Sequence, residues 1–196
     1  MEPMSEPTGP PAPDPVLPAF PAGIVPRPMT ADDCGGVAGI RVRGWQYAYT
    51  GLVPQPYLDG LDVAADADRQ RARLLDGDGS VRNLVVDADD GGLLGWVAFG
   101  PHRDGGTRTG DAELYALYLR PDHIGRGVGR ALLAAATRHC ADAGHARMYL
   151  WVVKGNTRAR RFYERAGFAA DGAEDAFEAG GAVVPEVRYA KELLRG

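Results

Sequence analysis

The stretch Leu117–Leu133, LYLRPDHIGRGVGRALL, constrains this chain more than any other. An apolar strand pattern stops at Pro121, a polar loop follows with glycines at 125, 127 and 129, and an Ala/Leu-rich helix pattern starts at once. Glycine lets a backbone approach a ligand closely. The first turn of a helix leaves N–H groups without internal partners, and the helix dipole adds positive potential there. The stretch therefore predicts an anion cradle, with Arg126 and Arg130 supplying charge-assisted contacts to a phosphate. It does not fit G-x-G-x-x-G, because the last position falls on Arg130 when counted from Gly125 and on Leu132 when counted from Gly127. No Lys-Ser/Thr follows, which excludes a P-loop.

The rest of the chain is organised around this turn. Residues 1–22 are crowded with proline and read as a disordered or polyproline-like tail, so the folded domain is expected over 23–196. Ile24 and Val25 open an edge strand. Thr30 or Asp32 caps a helix running to about Tyr49, with Val37, Ile40, Val42, Trp45 and Tyr49 along one face. A second helix is expected from about Pro56 to Leu75. Val81–Asp87 and Leu93–Gly100 form strands around the turn signal Asp89-Asp90-Gly91-Gly92. Residues 101–110 read as a polar loop. Ala112–Leu119 is the next strand, Gly127–Ala143 a helix, Arg147–Val153 a strand and Asn156–Ala166 a helix. Two short antiparallel strands around Gly180-Gly181 finish the chain. The order β-α-α-β-β-β-α-β-α-β-β implies an α/β domain, a mixed sheet flanked by helices.

Composition narrows the function classes. A formal net charge of −4 argues against a general nucleic-acid binder. No apolar run approaches the roughly 20 residues of a membrane span, and the N-terminus lacks a secretory pattern, so no membrane partner and a cytoplasmic location are expected. Cys34 and Cys140 are far apart in sequence and have no partner at metal-ligand spacing, and His102, His123, His139 and His145 form no metal spacing either, so no metal is expected. The Ala/Gly/Arg/Asp-rich usage suggests a bacterial source.

Residues 117–133 resemble the acetyl-CoA motif of the GNAT superfamily (GCN5-related N-acetyltransferases), written Q/R-x-x-G-x-G/A. Here it reads I-G-R-G-V-G, with Ile124 where the family usually has Gln or Arg. The helix from Asn156 to Phe168 resembles the family's N-x-x-A-x-x-F-Y-x-x-x-G-F. The segment Trp45–Leu58 is similar to W-x-x-x-Y-x-G-x-(L/V)-P-x-x-Y-L of many bacterial members. The resemblance spans roughly 24–194 and implies a mostly antiparallel sheet with splayed central strands. It also implies a cofactor side made by Leu117, Tyr118 and Leu119 along the pantetheine, by Ile124, Gly125, Arg126, Gly127, Val128, Gly129 and Arg130 around the pyrophosphate, and by Asn156, Arg158 and Ala159 on the last helix.

Acyl transfer from a thioester to an amine needs a route for the ammonium proton, donors for the oxyanion and an acid for the leaving thiolate. By resemblance Tyr163 is the candidate acid. Glu113, opening its strand, is the candidate base, directly or through water. Strand alternation would put Tyr115 on the same face as Glu113 and Leu117, lining the acceptor site. Trp45, Tyr49 and Tyr57 are expected to form an aromatic wall for a cation, with Trp151 on the neighbouring strand. No Ser or Cys sits in a nucleophile elbow, which favours direct transfer. The expected activity is N-acetyl transfer from acetyl-CoA to a primary amine, on a small molecule or a protein. The alternative is a non-catalytic acyl-CoA-binding regulatory module. The final strands leave a homodimer open.

Overall fold

The computed structural model describes residues 23–193; the proline-rich segment 1–22 lies outside them. The first helix is started by Thr30, whose backbone N–H donates to Asp33 Oδ2 at 2.7 Å in a capping box around the 3-10 turn Ala31–Asp33. Helix α1 (Cys34–Ala48) buries Cys34, Val37 and Ile40. The single helix expected over 56–75 is two helices, α2 (Gln55–Asp59) and α3 (Val63–Asp76). Gly60 ends the first, and Asp62 Oδ1 accepts from Ala65 N at 2.9 Å to start the second, so the local cap outweighs the continuous pattern.

The strands are β1 (Arg27–Pro28), β2 (Arg82–Asp87), β3 (Leu93–Asp104), β4 (Thr107–Leu119), β5 (Arg147–Val153), β6 (Ala169–Ala179) and β7 (Ala182–Glu192). Helix α4 (Val128–Asp142) joins β4 to β5, and α5 (Thr157–Arg165) follows β5. Three expectations change. The edge strand lies at Arg27–Pro28 rather than at Ile24 and Val25, pairing Arg27 with Val85. Residues 101–110 are not a loop: β3 and β4 continue as a hairpin, with Asp104 opposite Thr107 around Gly105-Gly106. Both of those glycines have positive φ, which a two-residue hairpin turn demands. The final strands are long, 11 residues each.

The sheet runs β1-β2-β3-β4-β5-β7-β6, antiparallel except for the β4/β5 pair. α4 and α5 cover one face through Val128, Leu132, Ala136 and Tyr163 against Val97, Phe99, Leu150 and Val152. α1 covers the other through Cys34, Val37 and Ile40 against Val85, Trp96 and Ala98. The α2 end is closed by Val53, Leu58, Val153 and Val184. Among the described residues no helix is long and apolar enough to cross a membrane.

Candidate active site

The centre of the sheet is open on one side. β4 pairs with β5 only at Ala112↔Met148, Glu113↔Tyr149 and Leu114↔Leu150, while its ladder to β3 continues to Gly95↔Leu119. Past Leu114 the two central strands separate, which leaves the β5-facing backbone of β4 available to a ligand. At the same point β4 carries a bulge: Ala98 faces Ala116 and Phe99 faces Leu114, so Tyr115 is an extra residue. The bulge overturns the expected alternation. Leu117 and Leu119 join Leu114 on the α4/α5 face, whereas Ala116 and Tyr118 turn to the α1 face.

Opposite the opening stands the N-terminus of α4. Gly127 is its N-cap at φ 93°, Gly125 lies at φ 87°, and no side chain caps the helix. The first helical N–H groups, from Val128 onward, are therefore unclaimed by the helix. Gly129 is buried, and a Cβ there would sit 3.2 Å from Leu119 and 3.5 Å from Phe162. Ile124 is half-buried. Arg126 and Arg130 are exposed and form no ion pair among the described residues. The glycine turn and the uncapped helix start expected from the sequence are present, with backbone N–H groups and two guanidinium groups that have no ion-pair partner among the described residues.

α5 closes the other side of the opening. Asn156 Oδ1 caps it by accepting from Ala159 N at 3.1 Å, and Ala159 packs into the core. Arg158 reaches back to α1 and donates to the Tyr47 hydroxyl at 2.6 Å. Tyr163 lies between the rings of Phe162 and Phe168, at 5.1 and 6.0 Å. Its hydroxyl has no hydrogen bond among the described residues. Burial, and then the neighbouring Tyr118, raise its pKa, so the phenol keeps its proton at neutral pH.

On the α1 face a cleft of about 890 Å³ runs from the end of α3 across the bulge to β7. Trp45, Tyr49, Tyr115 and Trp151 line it as expected. Tyr57 does not. It stands 6.2 Å behind Trp45 and packs beneath Gly180 of the β6–β7 turn. Phe177 takes its place, 5.9 Å from Trp45. Tyr118 lines this cleft with its ring stacked 6.3 Å from Trp96, and its hydroxyl is 3.5 Å from that of Tyr49. The cleft and the acid candidate therefore meet at Tyr118.

The profile described as "Acetyltransferase (GNAT) family" matches residues 45–168. This chain belongs to the GNAT acetyltransferase family. It is 31% identical over 162 residues to an uncharacterized N-acetyltransferase, YuaI, of Bacillus subtilis (strain 168), covering 82% of this chain and 88% of the relative. It is 36% identical over 152 residues to the mycothiol acetyltransferase of Clavibacter sepedonicus, covering 76% of this chain but only 44% of that longer protein. In fold it is similar to the PaiA N-acetyltransferase of Thermoplasma acidophilum in complex with coenzyme A, at TM-score 0.68 and 20% identity over 86% of this chain and 98% of the other. The acetyltransferase is an acyl-CoA-dependent enzyme.

Of the acidic residues lining this cleft, Asp76 and Asp78 stand at the α3 end, and Glu113 and Glu186 on the sheet differ in their partners. Glu113 is bound to His102, with Oε2 2.9 Å from Nδ1, and the His102 ring lies 4.6 Å from that of Tyr149. Sequence reasoning found Glu113 but not its buried partner, because the two come together only when β3 and β4 extend through the segment read as a loop. Glu186 on β7 was not singled out, nor were Tyr118 as a cleft residue or Phe177. The signal for Glu186 was there: it alternates with the buried Val187 and Tyr189 and so must face the opposite side of β7.

Proposed function

We propose that this acetyltransferase moves the acetyl group of acetyl-CoA to a primary amine by direct attack, with Tyr163 protonating the leaving thiolate. The observation that carries the reading is the Tyr163 phenol: buried, without a hydrogen bond among the described residues, and kept protonated by burial and by the neighbouring Tyr118. The donor fits the cradle. The N–H groups of Val128, Gly129 and Arg130 would hold the pyrophosphate, with Arg126 and Arg130 adding charge. The unpaired edge of β4 from Leu117 to Leu119 would take the pantetheine in the manner of a missing strand, and the Asn156 side-chain amide would reach it from α5. The acceptor would enter from the α1 face, walled by Trp45, Tyr49, Tyr115 and Trp151. Acceptors on small molecules and on proteins both suit a cleft of this size. Related proteins come from bacteria, which supports a bacterial source.

The test is Tyr163→Phe. Thiol release with a panel of amines is expected to fall about 10²- to 10⁴-fold in kcat. Thermal stabilisation by acetyl-CoA is expected to stay unchanged. Turnover equal to that of the unmodified chain would remove Tyr163 from the chemistry. Acetyl-CoA binding with no thiol release from any amine in the unmodified chain would argue for a binding module instead.

A further inference from the structure

We infer that Glu186 is the residue that receives the acceptor's ammonium group and takes its proton. The inference rests on the acetyltransferase reading above and assigns the acceptor side of that same site.

Glu186 sits in the middle of β7, opposite Val153 on β5 and Asp175 on β6. This is the part of β5 that has already separated from β4. The side chain lines the cleft together with Trp45, Tyr49, Trp151 and Phe177. Its charge acts on the hydroxyls of both Tyr49 and Tyr118. Those two phenols also interact electrostatically with Tyr163. Glu186 thus shares the cleft with the Tyr49 and Tyr118 hydroxyls, which lie 3.5 Å from each other.

It is also uncommitted. Among the described residues Glu186 accepts no hydrogen bond and has no ion-pair partner. Three cations near it have carboxylates of their own: Arg188, two residues along the strand, holds Asp171 at 2.7 Å, Lys154 holds Glu174 at 2.8 Å, and Arg41 holds Asp66 at 2.9 Å. Arg73, at the α3 end of the cleft, has no carboxylate partner among the described residues. Glu113 has His102. A half-buried carboxylate without a partner is costly, and a second carboxylate directly across the strand pair raises that cost. A bound ammonium relieves both, and the aromatic rings of the cleft favour a cation further. Burial first, and then Asp175, push the Glu186 pKa above the ordinary carboxylate range, which makes it a better proton acceptor.

The protons balance. Glu186 takes one proton from the substrate R–NH3⁺, which frees the nitrogen lone pair. The nitrogen forms the C–N bond to the acetyl carbonyl carbon. As the C–S bond breaks, the sulfur takes the Tyr163 proton, and the resulting phenoxide takes the second proton from the nitrogen. Glu186 then releases its proton to water in the open cleft. One amide, one thiol and one proton result.

The test uses the full chain saturated with CoA and measures its further thermal stabilisation by butylamine, putrescine and phenethylamine, with butanol as an uncharged control. The amines are expected to stabilise the unmodified chain and butanol is not. Glu186→Gln is expected to weaken amine binding at least tenfold while leaving stabilisation by acetyl-CoA intact, which also shows that the variant folds. Glu186→Asp should recover part of the amine response. In steady-state turnover, Glu186→Gln should lower kcat/KM for the amine and flatten the acidic limb of its pH profile. That limb is set by Glu186, which Asp175, Tyr49 and Tyr118 face. An equal amine response in Glu186→Gln and the unmodified chain overturns the assignment, as does the absence of any amine response in the unmodified chain. Failure of acetyl-CoA itself to stabilise the unmodified chain would strike the donor site first, and this assignment with it.

Discussion

On the α4 side of the sheet the protein presents backbone: the N–H groups of the first turn of α4, the open edge of β4 and glycines at positive φ. On the α1 side it presents a cleft lined by side chains drawn from distant parts of the chain, Trp45 and Tyr49 near α1, Tyr115 and Tyr118 from β4, Trp151 from β5, Phe177 from β6 and Glu186 from β7. The donor face is contiguous in sequence and the acceptor face is not. Backbone recognition requires particular residues only where the chain must bend or approach closely, and it is served by local structure. Side-chain recognition has no such economy, and each wall residue is free to change with its ligand.

Substitutions separate the two faces. Gly127→Val should have the largest effect on the donor face, because a β-branched residue at φ 93° is strained whatever the available space. Acetyl-CoA affinity is expected to fall about tenfold or more, at a cost of about 1–3 kcal/mol in strain, with amine selectivity unchanged at saturating donor; isothermal titration with acetyl-CoA checks it. Gly44→Ala addresses the acceptor face. A Cβ at Gly44 would lie 2.8 Å from the Tyr118 ring, so α1 or that ring must shift. The expected result is a several-fold higher KM for the amine, with stability lowered by about 1–3 kcal/mol and the KM for acetyl-CoA little changed. An equal rise in both KM values would break the separation of the faces.

The smallest effect lies outside both faces. Asp33 is bound to Arg27 at 2.8 Å, and that guanidinium, against the opposing effect of burial and with help from Thr30, holds its pKa near about 2. Because the folded-state pKa is depressed, the contribution is present above about pH 4. It is lost as the pH falls toward 2. Discounted for the solvent exposure of Arg27, Asp33→Asn is expected to lower stability by about 1–2 kcal/mol at pH 7. Urea unfolding should show this deficit shrinking as the pH approaches 2, with neither KM altered.

The same contrast explains what could be read in advance. The glycine turn before α4 and the Asn156 cap were legible because glycine spacing and a helix cap are local requirements, and the β5 bounds, Arg147–Val153, were legible because a buried strand is a continuous apolar run; Tyr163 stood out by family resemblance. The extended β3–β4 hairpin was hidden because its strands are polar and two-sided there, with Arg103 opposite Arg108 and no alternation to betray them. The Tyr115 bulge left no trace at all in composition. Without it, simple alternation misplaces Leu117. The His102–Glu113 contact became visible only once β3 and β4 extend through the segment read as a loop, and the place of Glu186 in the cleft only once β7 pairs with β5.

The bulge at Tyr115 has a consequence for how this protein can change. Because one inserted residue rephases the strand, β4 shows Glu113, Tyr115 and Tyr118 to one compartment and Leu117 and Leu119 to the other. On the proposed function, drift among the first three would retune which molecule is modified while the second pair would continue to serve a common donor. A single strand thus carries two independently adjustable registers of information, and the extra residue is the divider between them.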